Sequence, residues 1–217
     1  MTKGRVACLF IFILLVIDQV IKLTVKMNMT LGEKIYIFDW FQIYFIENIG
    51  MAYGMTFVNK LVLSLFRIVA FSAALWYIHK KAKEGAKWGY IICLSMVAAG
   101  AAGNIFDSVF YGLCFTESTP FSVSSLVSLG DGYAPVLMGR VVDMFYFPII
   151  DTNYPDCFPF WGGERFIFFS PIFNFADSCI CVAVALILLF YRQELDLDFG
   201  HKEQEPHIEE DSTTITS

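Results

Sequence analysis

Four aspartates lie in or beside apolar stretches of membrane length: Asp18, Asp107, Asp143 and Asp177. A charged side chain at the centre of a bilayer costs roughly 3 kcal/mol or more, so an ionisable residue there marks a functional site by default. Asp143, in Val141-Val142-Asp143-Met144-Phe145, and Asp177, in Phe173-Asn174-Phe175-Ala176-Asp177, have the surroundings of a catalytic pair. Two carboxylates held about 3 Å apart cannot both ionise, so such a dyad keeps one shared proton. Its ionised member takes a proton from water while its protonated member polarises a carbonyl, which is amide hydrolysis. Asn174 lies three residues before Asp177 and is placed to orient it. The competing reading is that each aspartate caps a helix or faces water.

Other chemistries are poorly supplied. The histidines are His79, His201 and His207, and no His-Glu-x-x-His run occurs. Cys179-Ile180-Cys181 has the wrong spacing for a metal site. No metal and no cofactor are expected. No basic patch suggests nucleic acid as a partner.

Further polar residues surround the aspartates in sequence. Asp18 and Lys22 are four apart and share a helix face. They read either as an intrahelical pair, with Lys22 snorkelling to the headgroups, or as a brace behind a polar site. Glu47-Asn48-Ile49-Gly50-Met51-Ala52-Tyr53-Gly54 reads as a glycine turn, or as a run whose Asn48 amide binds a substrate backbone. Asn104 and Asp107 share a face at the end of an apolar stretch, either as a polar helix end near water or as part of the site. Arg67 sits inside another apolar stretch and reads as a snorkelling or paired cation, or as a stabiliser of site charge.

The elements that must position these residues follow from composition. The chain has 217 residues, 57% hydrophobic and 17% charged, with mean hydropathy +0.60. A soluble domain is roughly 25% charged, so this is an integral membrane protein, mainly α. Four spans are read: about Arg5 to Val25, Leu61 to Ile78, Trp88 to Phe106, and Phe168 to Tyr191. The first has Lys3 and Arg5 ahead of it like an export leader, but it runs too long and has no convincing cleavage site. Lys80, Lys81, Lys83 and Lys87 crowd the link between spans two and three. The positive-inside rule therefore puts that link and both termini in the cytoplasm. Segments of about 27–60 and 107–167 then lie outside. On that topology no histidine reaches the outer side, which excludes a serine–histidine pair there. Ile35 to Ile46 is β-branched and aromatic and reads as strand in a small sheet lying on the bilayer. Residues 1–192 form one membrane domain. Residues 193–217 form an acidic tail expected to be disordered: eight acidic residues follow Tyr191, and without the tail the charge balances. Cys114 and Cys157 fall outside the spans and are the only candidates for a disulfide.

In order along the chain, Asp18-Gln19-Val20-Ile21-Lys22, Asn48-Ile49-Gly50-Met51-Ala52-Tyr53-Gly54, Gly103-Asn104-Ile105-Phe106-Asp107, Val141-Val142-Asp143 and Phe173-Asn174-Phe175-Ala176-Asp177 resemble the bacterial membrane aspartyl proteases called lipoprotein signal peptidase, or signal peptidase II. Each run is weak alone; the ordered set is specific. The resemblance implies four transmembrane helices with a small outer β-cradle in the bacterial inner membrane. It implies cleavage of prolipoproteins just before a cysteine carrying diacylglycerol, with membrane lipid as the surrounding partner. Asp143 and Asp177 match the catalytic pair; Asp18, Lys22, Asn48, Gly50, Asn104, Asp107, Asn174 and Ala176 match supporting or site-lining positions. The chain departs from the family twice. Ser108 stands where the family usually has arginine, with Arg67 or Arg140 as candidate replacements. Leu113 to Arg140 and much of Ile149 to Phe168 look inserted, and are expected to form an outer lid or rim. The alternatives from other classes are a proton- or cation-conducting transporter and a non-catalytic membrane subunit.

Overall fold

The computed structural model describes residues 2–49, 60–155 and 163–199. Helix α1 (Lys3–Asn28), α2 (Lys60–Lys83) and α3 (Trp88–Phe106) contain the first three expected spans. α3 runs on without a break through a π-helical segment, Asp107–Tyr111, into a three-residue turn, α4 (Gly112–Cys114). By length and composition α1, α2 and the continuous Trp88–Cys114 can each cross a membrane. A fourth apolar helix, α5 (Phe175–Phe190), has 16 residues. That is about 24 Å, shorter than a typical hydrocarbon core of roughly 30 Å. The expected start of that span at Phe168 is corrected: Arg165–Phe168 (β5) and Ile172–Phe173 (β6) are strands, with Pro171 between them. The acidic tail is also corrected at its root, because Arg192–Phe199 form helix α6. Residues 200–217 lie outside the described part.

The apolar run Ile35 to Ile46 is two strands rather than one. β1 (Lys34–Phe38) and β2 (Phe41–Asn48) pair antiparallel about a turn at Asp39–Trp40. They join β3 (Val141–Tyr146) and β6 in a four-stranded antiparallel sheet ordered β1-β2-β3-β6. The register places Ile46 opposite Asp143 and Phe145 opposite Phe173. Asp143 is thereby fixed on β3 opposite β2, and β6, which pairs with the following residues Phe145 and Tyr146, delivers the chain directly into Asn174 and α5. β4 (Ile150–Asn153) and β5 make a separate hairpin within the second inserted stretch.

Small residues let the helices close around this sheet. A methyl on Gly100 would meet the Ala176 carbonyl and Ile180, and one on Gly103 would meet the Asp18 carboxylate and the Ala176 methyl. α3 can thus press against the N-terminal end of α5 and against α1 at the level of Asp18, as small-residue seams do in membrane bundles. At the other end, Lys3 Nζ donates to the carbonyls of Gly85 at 2.9 Å and Ala86 at 2.6 Å. The start of α1 therefore sits against the lysine-rich link between α2 and α3.

Candidate active site

Asn174 is the N-cap of α5. Its Oδ1 accepts the Asp177 N–H at 3.0 Å, and Asp177 Oδ2 accepts the Asn174 N–H at 3.3 Å, a reciprocal capping box. The Asn-x-x-Asp spacing thus fixes one candidate carboxylate through the geometry of a helix start. The Asn174 Nδ2 group donates to Asp143 Oδ1 at 2.6 Å and to Asn104 Oδ1 at 3.2 Å. Asn48, at the end of β2, donates from Nδ2 to Asp143 Oδ2 at 3.1 Å. Both Asp143 oxygens are therefore held by amide donors. This contact places the Asn48 amide at the Asp143 carboxylate. Asn104 Nδ2 donates to Asp177 Oδ1 at 2.9 Å. Asp143 and Asp177 share Asn174 as a common partner, with Asp143 buried and Asp177 half-buried. Burial pushes the Asp143 carboxyl up to about 7, and the charge of Asp177 pushes the same way; Asn48, Asn174 and Lys22 oppose them.

Behind these two carboxylates lies a buried ionic cluster. Lys22 is fully buried, 3.0 Å from Asp18 Oδ2 and 2.8 Å from Asp107 Oδ2, and donates to Asn104 Oδ1 at 3.0 Å. The snorkelling expected of Lys22 is overturned: with two carboxylates and an amide inside the bundle, its ammonium has partners that the headgroups would otherwise supply. Asp18 Oδ1 accepts the Ala176 N–H at 3.0 Å, so it braces the first turn of α5 from behind. Asp107 is also fully buried rather than near water, because the π-helical segment turns it inward, where Oδ2 accepts the Val142 N–H at 3.3 Å. Ser108 is fully buried and returns its hydroxyl to the Asn104 carbonyl at 2.9 Å.

Two residues of this cluster were not singled out from sequence. Gln19 Nε2 donates to Asp107 Oδ1 at 2.9 Å and to Asp18 Oδ2 at 3.1 Å, and its Oε1 accepts Tyr111 Oη at 3.0 Å. Gln19 stood beside Asp18 in the sequence; Tyr111 carried no signal. A second missed pair clamps the first insertion. Lys26 is fully buried, salt-bridged to Glu47 at 2.5 Å, within 3.1 Å of Ser118 Oγ, and faces the rings of Tyr111, Phe115 and Tyr133. The insertion thus buttresses α1 and β2 at the residue next to Asn48.

Arg140 does not replace the missing arginine. Its guanidinium pairs with Glu47 at 3.3 Å and Glu117 at 2.8 Å. Arg67, half-buried on α2, is the other candidate, and its charge acts on Asp177, Asp107 and Asp143. Ser64, one turn earlier on the same face, donates to the Leu137 carbonyl at 2.9 Å and turns that face toward the site. Gly50 and Cys157 lie outside the described residues, and Cys114 carries a free thiol. Among the described residues no cluster of His, Cys, Asp and Glu is arranged to hold a metal ion.

The polar groups gather in one body against the sheet, as hydrolysis at a fixed point requires; a conducting path needs them stepped along a span. Comparison with known proteins agrees. The profile of the family described as Signal peptidase (SPase) II matches residues 10–192. A lipoprotein signal peptidase of Porphyromonas gingivalis is 46% identical over 205 residues, covering 94% of this chain and 90% of that protein. One from Amoebophilus asiaticus is 35% identical, covering 93% and 80%. In fold, a solved bacterial membrane enzyme superposes with a TM-score of 0.58 at 20% identity, covering 93% of this chain and 94% of its own. With its carboxylate pair, its apolar helices and these relatives, the chain belongs to the signal peptidase II family of bacterial membrane aspartyl proteases.

Proposed function

We propose that this protein removes signal peptides from diacylglyceryl-modified prolipoproteins by cleaving immediately before the lipidated cysteine, with Asp143 and Asp177 as its catalytic dyad. The observation that carries the reading is the single residue Asn174, which hydrogen-bonds both carboxylates and so holds them to one point. The dyad's proton rests on Asp143, which burial and the charge of Asp177 favour. Protonated Asp143 polarises the scissile carbonyl, and ionised Asp177 takes a proton from the attacking water. The resulting gem-diol collapses as the amide nitrogen is protonated and the C–N bond breaks, returning the dyad to its single-proton state. Every proton in the cycle is exchanged between water, substrate and the two carboxyls, so the cycle calls on no metal.

Asp18, Lys22, Asn104, Asp107, Asn174 and Ala176 support the dyad in this scheme, Asn48 fixes Asp143, and Gly50 belongs to the same motif. Four helices cross the inner membrane, with α5 accommodated by local thinning or by its polar ends. The lysines between α2 and α3, with Lys3 and Arg192, support cytoplasmic termini and a site toward the outer face. The test is cleavage of a diacylglyceryl-modified prolipoprotein in detergent by wild type, Asp143→Asn and Asp177→Asn, each checked for folding. Cleavage by wild type and its loss in both variants is expected; cleavage surviving either change removes that residue from the dyad.

A further inference from the structure

The first insertion folds as a hairpin arm. The Val127 N–H donates to the Cys114 carbonyl at 2.8 Å and the Thr116 N–H to the Ser125 carbonyl at 3.0 Å, and Phe115 bridges to Leu126 across the two limbs. The tip is the turn Thr119-Pro120-Phe121-Ser122, where Thr119 Oγ1 accepts the N–H groups of Phe121 at 3.3 Å and Ser122 at 3.0 Å. A side-chain oxygen bonded to the backbone just ahead of it holds a turn in one shape. On that turn Phe121 is 95% exposed, and Val123, Leu126 and Leu129 are exposed after it. One exposed apolar residue is ordinary. Several along one fixed arm mark a contact surface.

The course of the arm is set by the two helices it joins. It leaves the continuous helix Trp88–Cys114 at the end remote from the lysine-rich link. Its Thr119 carbonyl accepts the Leu31 N–H at 3.0 Å, three residues past the end of α1 and at the same end of the bundle. The arm therefore runs sideways across the ends of two membrane-length helices and brings Phe121 to the end of α1.

That end of α1 is dressed for lipid. Thr24 and Asn28 are exposed. Yet Thr24 Oγ1 donates to the Val20 carbonyl at 2.7 Å and Asn28 Nδ2 to the Thr24 carbonyl at 2.8 Å. Polar groups need such internal partners where water is scarce. Met27, between them, is exposed as well. The next charged residues are Glu33 and Lys34, both exposed. Leu31, where the arm lands, lies between this apolar end and those charges, which is the level of the headgroups. Phe121 thus extends the lipid-facing surface of α1.

Charge decides the kind of contact. From Leu113 to Val136 the charged residues are Glu117 and Asp131, with no lysine or arginine. Glu117 is already paired with Arg140 at 2.8 Å. Nothing on the arm draws it to an anionic surface or an acidic partner, so its attraction is apolar.

We propose that the arm is a foot on the bilayer: Phe121 enters the boundary between headgroups and acyl chains in the leaflet beside α1, and lipid is its partner. Apolar side chains of interfacial segments sit about 5–10 Å into that boundary. Ser118, three residues before Phe121, meets both Lys26 and Glu47. The depth of the foot is thereby passed to β2 and to Asn48 beside Asp143.

The test places 4-(trifluoromethyl)phenylalanine at position 121 of the full-length protein in phosphatidylcholine nanodiscs. Fluorine relaxation is read with dissolved oxygen, which partitions into lipid, and with a nickel chelate, which stays in water. Strong relaxation by oxygen is expected, with most of the nickel effect lost relative to the free amino acid in the same buffer. Adding phosphatidylglycerol to the discs should leave both values in place, because the arm carries no cation. Nickel relaxation equal to that of the free amino acid overturns the proposal. So does shielding from both reagents, which would mean that protein covers the ring. A diazirine-bearing phenylalanine at the same position gives a second reading: adducts heavier by one phospholipid are expected, and adducts only with water or with a second copy of the chain overturn the proposal. Both probes keep the phenyl ring, so the turn is preserved. Neither readout uses cleavage, so failure here leaves the peptidase reading untouched.

Discussion

Asn174 Nδ2 donates to Asp143 Oδ1 at 2.6 Å while the same residue caps the helix that carries Asp177. One side chain therefore serves both a helix end and the alignment of two carboxyls that are 34 positions apart in sequence. Asn174→Ala is expected to lower kcat about 100-fold with little change in KM, since misplacement of about 1 Å is enough for that loss. It should also cost about 1 kcal/mol of stability through the lost cap. Asn174→Ser should restore most of the stability but not the rate. Cleavage kinetics beside thermal unfolding in detergent separates the two roles.

In the proposed mechanism, the proton shared by Asp143 and Asp177 sets the pH response. Burial and Asp177 raise the Asp143 carboxyl from 3.8 to about 7. Cleavage that needs one proton on the pair should fall as pH rises through an apparent value near 7, a property of the pair rather than of either residue. Between 3.8 and about 7 the folded protein binds a proton at Asp143 that the unfolded chain has released. Stability from this group is therefore greatest at low pH and is lost as pH rises through 7. A pH–rate profile and a thermal midpoint followed against pH check both statements. Asp143→Asn should flatten the second curve over this window.

Among the described residues Lys22 is the cation that pairs with both Asp18 and Asp107, and it is fully buried. Removing one partner of a buried charge cluster costs about 3–5 kcal/mol, because the remaining charges keep their desolvation without compensation. Lys22→Met should destabilise by that amount. Asp18→Asn in the same chain should recover part of it by deleting one orphaned charge. Unfolding midpoints of the single and double variants give the comparison.

Arg67 and Arg140 are expected to separate cleanly. Arg140 is partly exposed and holds Glu47 and Glu117, so Arg140→Gln should cost about 1 kcal/mol or less and leave the pH profile in place. Arg67 acts electrostatically on Asp177, Asp107 and Asp143. Arg67→Gln should lower kcat/KM about tenfold. It should also move the alkaline limb of the pH profile upward, since losing a cation strengthens the pair's hold on its proton. Equal behaviour of the two variants would remove Arg67 from the site.

The parts of this molecule that were legible in sequence are those where spacing alone determines proximity. Asp18 and Lys22 share a face because helices repeat every 3.6 residues, and Asn174 and Asp177 meet because a capping box needs three. The spans around Asp18, Arg67 and Asn104 follow from apolar length. The turn at Asp39–Trp40 was hidden because no glycine or proline interrupts Ile35 to Ile46, and both strands are apolar on both faces. The start of α5 at Phe175 lies later than the apolar run suggests, because β5 and β6 are as apolar as the helix they precede. Gln19, Lys26, Glu47 and Tyr111 meet partners 71 to 92 positions away or through tertiary contact alone, and no local pattern announces that. Ser118 and Tyr133 show the same for the insertion: a segment that reads as a lid is anchored by one buried lysine.

Lys3 and Arg5 ahead of an apolar run give α1 the look of an export leader, the very kind of segment this family cuts from other proteins. Its inner face carries Asp18, Gln19, Lys22 and Lys26, each paired only within the folded molecule. Excising the helix would strip Asp107 of its cation, the Ala176 N–H of its acceptor and Glu47 of its buried lysine. The anchor is also masonry of the proposed catalytic chamber, so an enzyme that lost it as a leader would lose its means of processing any other.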